Sequence, residues 1–238
     1  MKNFFLILGF LSSFLFSERE IYVIKRAENK ITIDGNITEE EWGKIPTIKK
    51  FYLPGAFEKK LNSNTIVWIK YDDQYLYIAG KMEDKDIFAK IKDHDGPVWQ
   101  DDVFEIFIKP KFKNPNYYEI NFNPIETCYD AFYPKPGLYS YVRDFYVKNY
   151  SAQAKVKTKI NGTLNNHQDI DNGWEIEIAI PFTAFSSTTT PPKKGDFWYF
   201  AICRYDYSYY DGVEKTSSAK LRRTNFHLYY DYDILLFK

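Results

Sequence analysis

The 238-residue chain has only two cysteines, Cys128 and Cys203, and three histidines, His94, His167 and His227. Two thiols argue against a multi-disulfide scaffold and against a cysteine-built zinc or iron–sulfur site; they leave either one disulfide or two buried free thiols. The histidines are scattered, without the spacing of a zinc centre or of a two-histidine metalloprotease helix. Charge of one sign is also lacking. With 32 basic and 32 acidic residues and a net charge of 0, no summed field attracts a phosphate backbone, which argues against a dedicated nucleic-acid binder. Eleven glycines and eleven prolines are too few for a collagen-like or low-complexity chain. The serine pairs Ser186-Ser187 and Ser217-Ser218 lie outside any nucleophile-elbow context.

Long apolar runs are absent except at the N-terminus. There Lys2 precedes an apolar stretch, Phe4–Phe16, that ends at Ser17 before the charged Glu18-Arg19-Glu20. The stretch is shorter than the roughly 20 residues of a membrane-spanning helix and has the layout of a secretory signal. The expectation is a signal peptide over residues 1–17 and a single exported domain, periplasmic or extracellular, over residues 18–238, with no membrane span after cleavage; an uncleaved N-terminal anchor is the alternative.

What the chain has in quantity is aromatic side chains: 21 Tyr, 20 Phe and 5 Trp, 19% of all residues. They sit in short runs of alternating character that read as strands. These runs are Thr65–Tyr71 and Tyr75–Lys81 as a hairpin, Val103–Lys109, Tyr117–Asn123, Thr127–Tyr133, Ser151–Ile160, Trp174–Ile180, Phe197–Tyr207 and Asp233–Phe237, with a shorter one at Ile31–Ile33. In Trp174–Ile180 the alternation puts Glu175 and Glu177 on the water-facing side. Thr38 with Glu41 forms a capping box and predicts one short N-terminal helix from Thr38 to Lys44, stopped by Pro46. Many short strands with almost no helix predict an all-β fold, an antiparallel β-sandwich of the jelly-roll or immunoglobulin-like two-sheet kind.

Period two places Glu119, Asn121 and Asn123 on one face of a single strand, and sets Glu105 opposite the apolar face of another. Glu105 and Glu119 are the pair to weigh as glycosidase carboxylates or as acceptors for ligand hydroxyls. The acidic stretches Asp84–Asp86, Asp93–Asp95 and Asp101-Asp102 carry hard oxygens suited to a structural calcium ion, without EF-hand spacing, or are charged surface loops. Asn36-Ile37-Thr38, Asn149-Tyr150-Ser151 and Asn161-Gly162-Thr163 match the short N-glycosylation acceptor pattern. Trp99 follows the turn Asp95-Gly96-Pro97 and precedes Gln100-Asp101-Asp102. An indole in such a loop either caps the sandwich or offers a platform for the apolar face of a pyranose.

Taken in order, Ile33-Asp34-Gly35 with Glu40-Glu41-Trp42, then Trp99 through Phe107, then Tyr117 through Pro124, resemble the family 9 carbohydrate-binding modules. Asn161 through Asn165, Gly173 through Pro181 and Asn225-Phe226-His227 continue the resemblance, which runs from about Ile31 to Phe237. It implies a sandwich of the family-9-like and DOMON-like group that binds a mono- or oligosaccharide without catalysis, often with structural calcium. It also implies a role beside secreted glycoside hydrolases in polysaccharide catabolism, or at the cell surface. By position, Trp99 matches the first aromatic platform and Glu105 the acid that bonds sugar hydroxyls, with Asn121 and Asn123 on the strand of further polar contacts. The second tryptophan platform is missing: Ser218-Ala219-Lys220-Leu221 occupies its place. A tyrosine among Tyr205, Tyr207, Tyr209 and Tyr210 is the candidate substitute, and Lys220, Arg222 and Arg223 suggest an acidic sugar. Two other readings stand beside this one. Related sandwiches bind b-type haem, for which Met82, His94, His167 and His227 are the available axial ligands; alternatively, the sugar site has decayed into a structural module.

Overall fold

The computed structural model describes residues 19–137 and 149–238. The expected signal peptide, residues 1–17, lies outside the described residues. Eleven strands account for most of the regular structure: β1 (Ile21–Arg26), β2 (Thr65–Tyr71), β3 (Tyr75–Met82), β4 (Val103–Lys109), β5 (Tyr117–Phe122), β6 (Cys128–Tyr133), β7 (Lys155–Asn161), β8 (Gly173–Pro181), β9 (Phe197–Ser208), β10 (Gly212–Ser217) and β11 (Asp233–Phe237). They hydrogen-bond in the order β6-β5-β4-β9-β11-β1-β2-β3-β8-β7, with β10 pairing along β9. All pairings are antiparallel except those of β1. That strand runs parallel to β11 through Ile21–Ile24 and then parallel to β2 through Lys25 and Arg26, so it joins two half-sheets.

The halves share one core. Phe104, Ile106 and Ile108 of β4, Tyr118, Ile120 and Phe122 of β5, and Phe200 and Ile202 of β9 come from one side. Val67 and Ile69 of β2, Ile78 of β3, and Trp174, Ile176, Ile178 and Ile180 of β8 come from the other, and all belong to one apolar cluster. This is the two-layer all-β architecture expected, with period-two alternation driving every second side chain inward. The edge strand β7 carries Lys155, Lys157 and Lys159 on alternate positions, a pattern that discourages pairing with another sheet edge.

Three local readings change. Ile31–Ile33 is extended but unpaired, and Ile31 is buried against Trp42, Trp68 and Tyr77 instead. Two strands, β1 and β10, join those expected. The helix is a single turn, Glu39–Trp42, capped by the Thr38 hydroxyl and ended by Gly43 at φ 83°, a conformation glycine adopts without Cβ strain.

Glu177 does not face water. The 31–43 segment covers its side of β8, and the carboxylate is fully buried. Its Oε2 accepts the backbone N–H groups of Gly35, Asp34 and Asn36 at 2.7, 3.0 and 3.2 Å, and its Oε1 accepts the Trp42 indole N–H at 2.7 Å. The Asp34-Gly35 and Trp42 landmarks of the sequence are therefore a clamp on one carboxylate. Cys128 and Cys203 are free thiols, Cys203 buried beside the Ser217 hydroxyl. Among the described residues no helix is long and apolar enough to cross a membrane.

Candidate aromatic and carboxylate cavity

The outward face of the β6-β5-β4-β9 half carries side chains of the wrong kind for plain solvent exposure. Val103, Phe107, Tyr117, Tyr129, Tyr133 and Cys203 form a second apolar cluster with Val98, Leu221, Phe226 and Tyr232 from the loops folded over them. The loops do not cover the face completely. A cavity of about 440 Å³ opens between Trp99, Glu105, Phe107, Glu119, Tyr129, Tyr133, Tyr205 and the Thr224–His227 segment.

Register explains its polar floor. Glu105 of β4 lies opposite Asn121 of β5, and Phe107 lies opposite Glu119, so both carboxylates point to the same face on neighbouring strands. Asn121, wholly buried, donates from one amide nitrogen to Glu119 Oε1 at 2.8 Å and to Glu105 Oε1 at 3.4 Å. Its own carbonyl oxygen is buried without a partner. Burial first, and then the charge of Glu119, raises Glu105 well above the usual carboxylate range, while Lys215 pulls it back. Lys215 itself rests 4.3 Å from the centre of the Tyr205 ring.

The walls are aromatic. Trp99, in a 3₁₀ turn over Val98–Gln100, meets the Tyr129 ring edge-on at 5.3 Å, and its carbonyl accepts the Tyr207 hydroxyl at 2.7 Å. Tyr205 and Phe226 pack at 5.3 Å on another side. His227 bonds the Tyr117 hydroxyl through Nδ1 at 2.9 Å, and burial lowers its pKa, so the ring is neutral near pH 7.

The four residues singled out in the sequence have different positions. Trp99 and Glu105 line the cavity, and Asn121 sits beneath it, bridging the carboxylates. Asn123, just past the end of β5, is spent on loops. Its amide donates to the Ile91 carbonyl and the Asp101 carboxylate, and its oxygen accepts from Ile125 and Thr127. Glu119 joins the site residues. Its alternation with Asn121 was visible in the sequence, but the offset that sets it beside Glu105 was not.

Of the candidate replacement tyrosines only Tyr205 lines the cavity. Tyr209 packs on His167, and Tyr210 bonds the His167 and Asp169 carbonyls. Lys220 lies over Tyr52, and Arg222 pairs with Asp231; neither they nor Arg223 line the cavity. Of the four candidate haem ligands, Met82 is in the main core, His94 and His167 are exposed, and His227 alone reaches the cavity. A larger hollow, about 600 Å³ between Phe132, Tyr150 and Thr183, has no carboxylate, amine or imidazole among the described residues of its lining.

For calcium the acidic stretches provide two groupings among the described residues, His94 with Asp95 and Asp130, and a wholly buried one. Asp84, Asp102 and Asp206, all buried, bring one oxygen each within 4.8 Å of one another. The donor set does not fit the ion. The Arg204 guanidinium lies 3.0 Å from both Asp84 and Asp206, where a cation would go. Asp102 already accepts the Phe88 and Tyr207 backbone N–H groups, each at 2.6 Å, whereas calcium takes six to eight oxygens.

The sequence model of the carbohydrate family 9 binding domain-like family matches residues 33–226. The chain belongs to that family. Solved family 9 modules have the same fold at low identity. One from Caldicellulosiruptor kristjanssonii, in complex with cellotriose, is 13% identical over 92% of this chain and 94% of its own, with a TM-score of 0.60. The same organism's family 9 module in complex with glucose is 14% identical over 91% and 95%, with a TM-score of 0.57. A presumed carbohydrate-binding protein from Bacteroides uniformis is 15% identical over 93% of this chain and 100% of its own, with a TM-score of 0.67. No curated protein matches the chain.

Proposed function

We propose that this family 9 domain is an exported, noncatalytic sugar-binding protein whose ligand occupies the cavity walled by Trp99 and floored by Glu105. The observation that carries the reading is the combination in one cavity of aromatic walls and hydrogen-bonding floor groups, the chemistry a pyranose asks for: rings for its C–H faces and acceptors for its hydroxyls. The glucose and cellotriose complexes of family 9 modules support a saccharide ligand. Binding is favoured over hydrolysis by the placement of the two carboxylates. A glycosidase pair flanks the scissile bond, whereas Glu105 and Glu119 stand on adjacent strands of one wall and share one amide donor. In this reading the protein serves polysaccharide use by holding a sugar beside a secreted glycoside hydrolase or at a cell surface.

The test is isothermal titration of the folded domain with glucose and short oligosaccharides, comparing wild type, Trp99→Ala and Glu105→Gln. Loss of one stacking surface removes on the order of 1 kcal/mol or more, so Trp99→Ala should weaken binding at least about fivefold. Sugar binding unchanged in both variants would overturn the assignment of the cavity.

A further inference from the structure

We propose that the preferred ligand of this cavity is an amino sugar carrying a free ammonium group, a 2-amino-2-deoxy hexose or an oligomer of one; the proposal rests on the sugar-binding reading above. The cavity is acidic. Glu105 and Glu119 both line it, and their carboxylate oxygens lie within two hydrogen-bond lengths of each other through the Asn121 amide. Among the described residues neither carboxylate has an ion pair, and Asn121 provides the only side-chain hydrogen bond either accepts. Among the described residues, Lys109 donates to the Asn114 and Asn116 carbonyls and Arg222 pairs with Asp231; Lys215, over the Tyr205 ring, lowers the proton affinity of Glu105 but forms no ion pair with either carboxylate. Burial, opposed by the charge of Glu119, lowers the pKa of His227 and so disfavours a positive charge there.

Two carboxylates held together away from water repel, and the pair is relieved either by a proton or by a cation between them. The raised proton affinity of Glu105 is the first of these outcomes. A neutral sugar could bond the carboxylates through its hydroxyls but would leave their charge uncompensated. An ammonium group donates three hydrogen bonds and supplies the compensating charge. The rings of Trp99, Tyr129, Tyr133 and Tyr205 around the same space favour a cation electrostatically through their faces. The acidic sugar suggested by Lys220, Arg222 and Arg223 is disfavoured for the same reason, since the groups that line the cavity would repel a uronate.

The experiment is calorimetric titration at pH 6 with glucose, N-acetylglucosamine and glucosamine, and with their β-1,4 disaccharides. Glucosamine and its dimer should bind at least about tenfold more tightly than both uncharged counterparts, as expected of a charge-assisted hydrogen bond. The advantage should fade above about pH 8, where an α-amino-type group loses its proton. In Glu119→Gln, folded by circular dichroism, the ratio of amino-sugar to neutral-sugar affinity should fall below about threefold. Glucose or N-acetylglucosamine binding as tightly as glucosamine at pH 6 would overturn this proposal and leave the sugar-binding reading standing. A folded protein that binds none of the sugars would overturn both.

Discussion

Glu177→Gln should be among the most destabilising single-atom changes available in this protein. Four N–H groups converge on the buried carboxylate, three from the backbone of Asp34, Gly35 and Asn36 on one oxygen and the Trp42 indole on the other. A glutamine has one acceptor and one donor end. If its carbonyl keeps the three backbone groups, its NH₂ faces the indole N–H, donor against donor. The variant then loses one hydrogen bond to a charged acceptor, about 1.5–3 kcal/mol, and leaves buried donors unpaired at about 1–3 kcal/mol. With partial relaxation a net loss of about 2–4 kcal/mol follows, a large share of an ordinary domain's stability. The diagnostic is a double-mutant cycle with Trp42→Phe, which costs packing but removes the conflicting N–H. The two changes should be less than additive by about 1–2 kcal/mol, read from urea unfolding followed by far-ultraviolet circular dichroism. Additivity within about 0.5 kcal/mol would refute the donor conflict and with it the clamp as the source of the stability.

Two further outcomes are expected. Asp233 is pushed up to about 7 by burial, against the Glu20 backbone hydrogen bond that lowers it, from an ordinary value of 3.8. Its folded form therefore binds the proton more tightly than the unfolded chain does, so its contribution to stability is fully present below about pH 4 and is lost as pH rises to about 7. Asp233→Asn should accordingly gain on the order of 1 kcal/mol at pH 8 and little at pH 4, in thermal melts across that range. Arg204→Met should cost about 3–5 kcal/mol in urea unfolding, because it strands buried carboxylates; a loss below about 1 kcal/mol would refute the guanidinium as the cation that Asp84 and Asp206 share.

How far the sequence foretold this depends on what each strand faces. In β4, β5 and β8 one face meets the core and the other differs in polarity, so period two was legible and so was the sandwich. β10, Gly212–Ser217, has little apolar content, and its exposed Val213 is no core signal. β1 is apolar on both faces: Tyr22 and Ile24 turn to the core while Ile21 and Val23 stay exposed, so its sequence does not show which face is inward. Glu177 was misplaced because alternation tells which face a residue is on but not whether another segment covers that face. The site followed the same rule: Trp99 and Glu105 were marked by local context. The wall provided by Tyr205 depends on β9 meeting β4 across a long stretch of chain, those of Tyr129 and Tyr133 depend on the register of β6 on β5, and Asn123 left the face when β5 ended one residue before it.

The parallel pairing of β1 with β11 sets Ile21 beside Ile234 and Ile24 beside Phe237. β1 therefore finds its neighbour on that side only after all the strands between them have been made. Among the strand pairings of the described residues such a contact carries the largest loop-closure cost and belongs to slow, high-contact-order folding. Until it forms, β11 exposes one edge and the two halves of the sandwich lack the strand that joins them. The joint between the half-sheets thus closes late, since β1 completes it only once β11 is in place beside it.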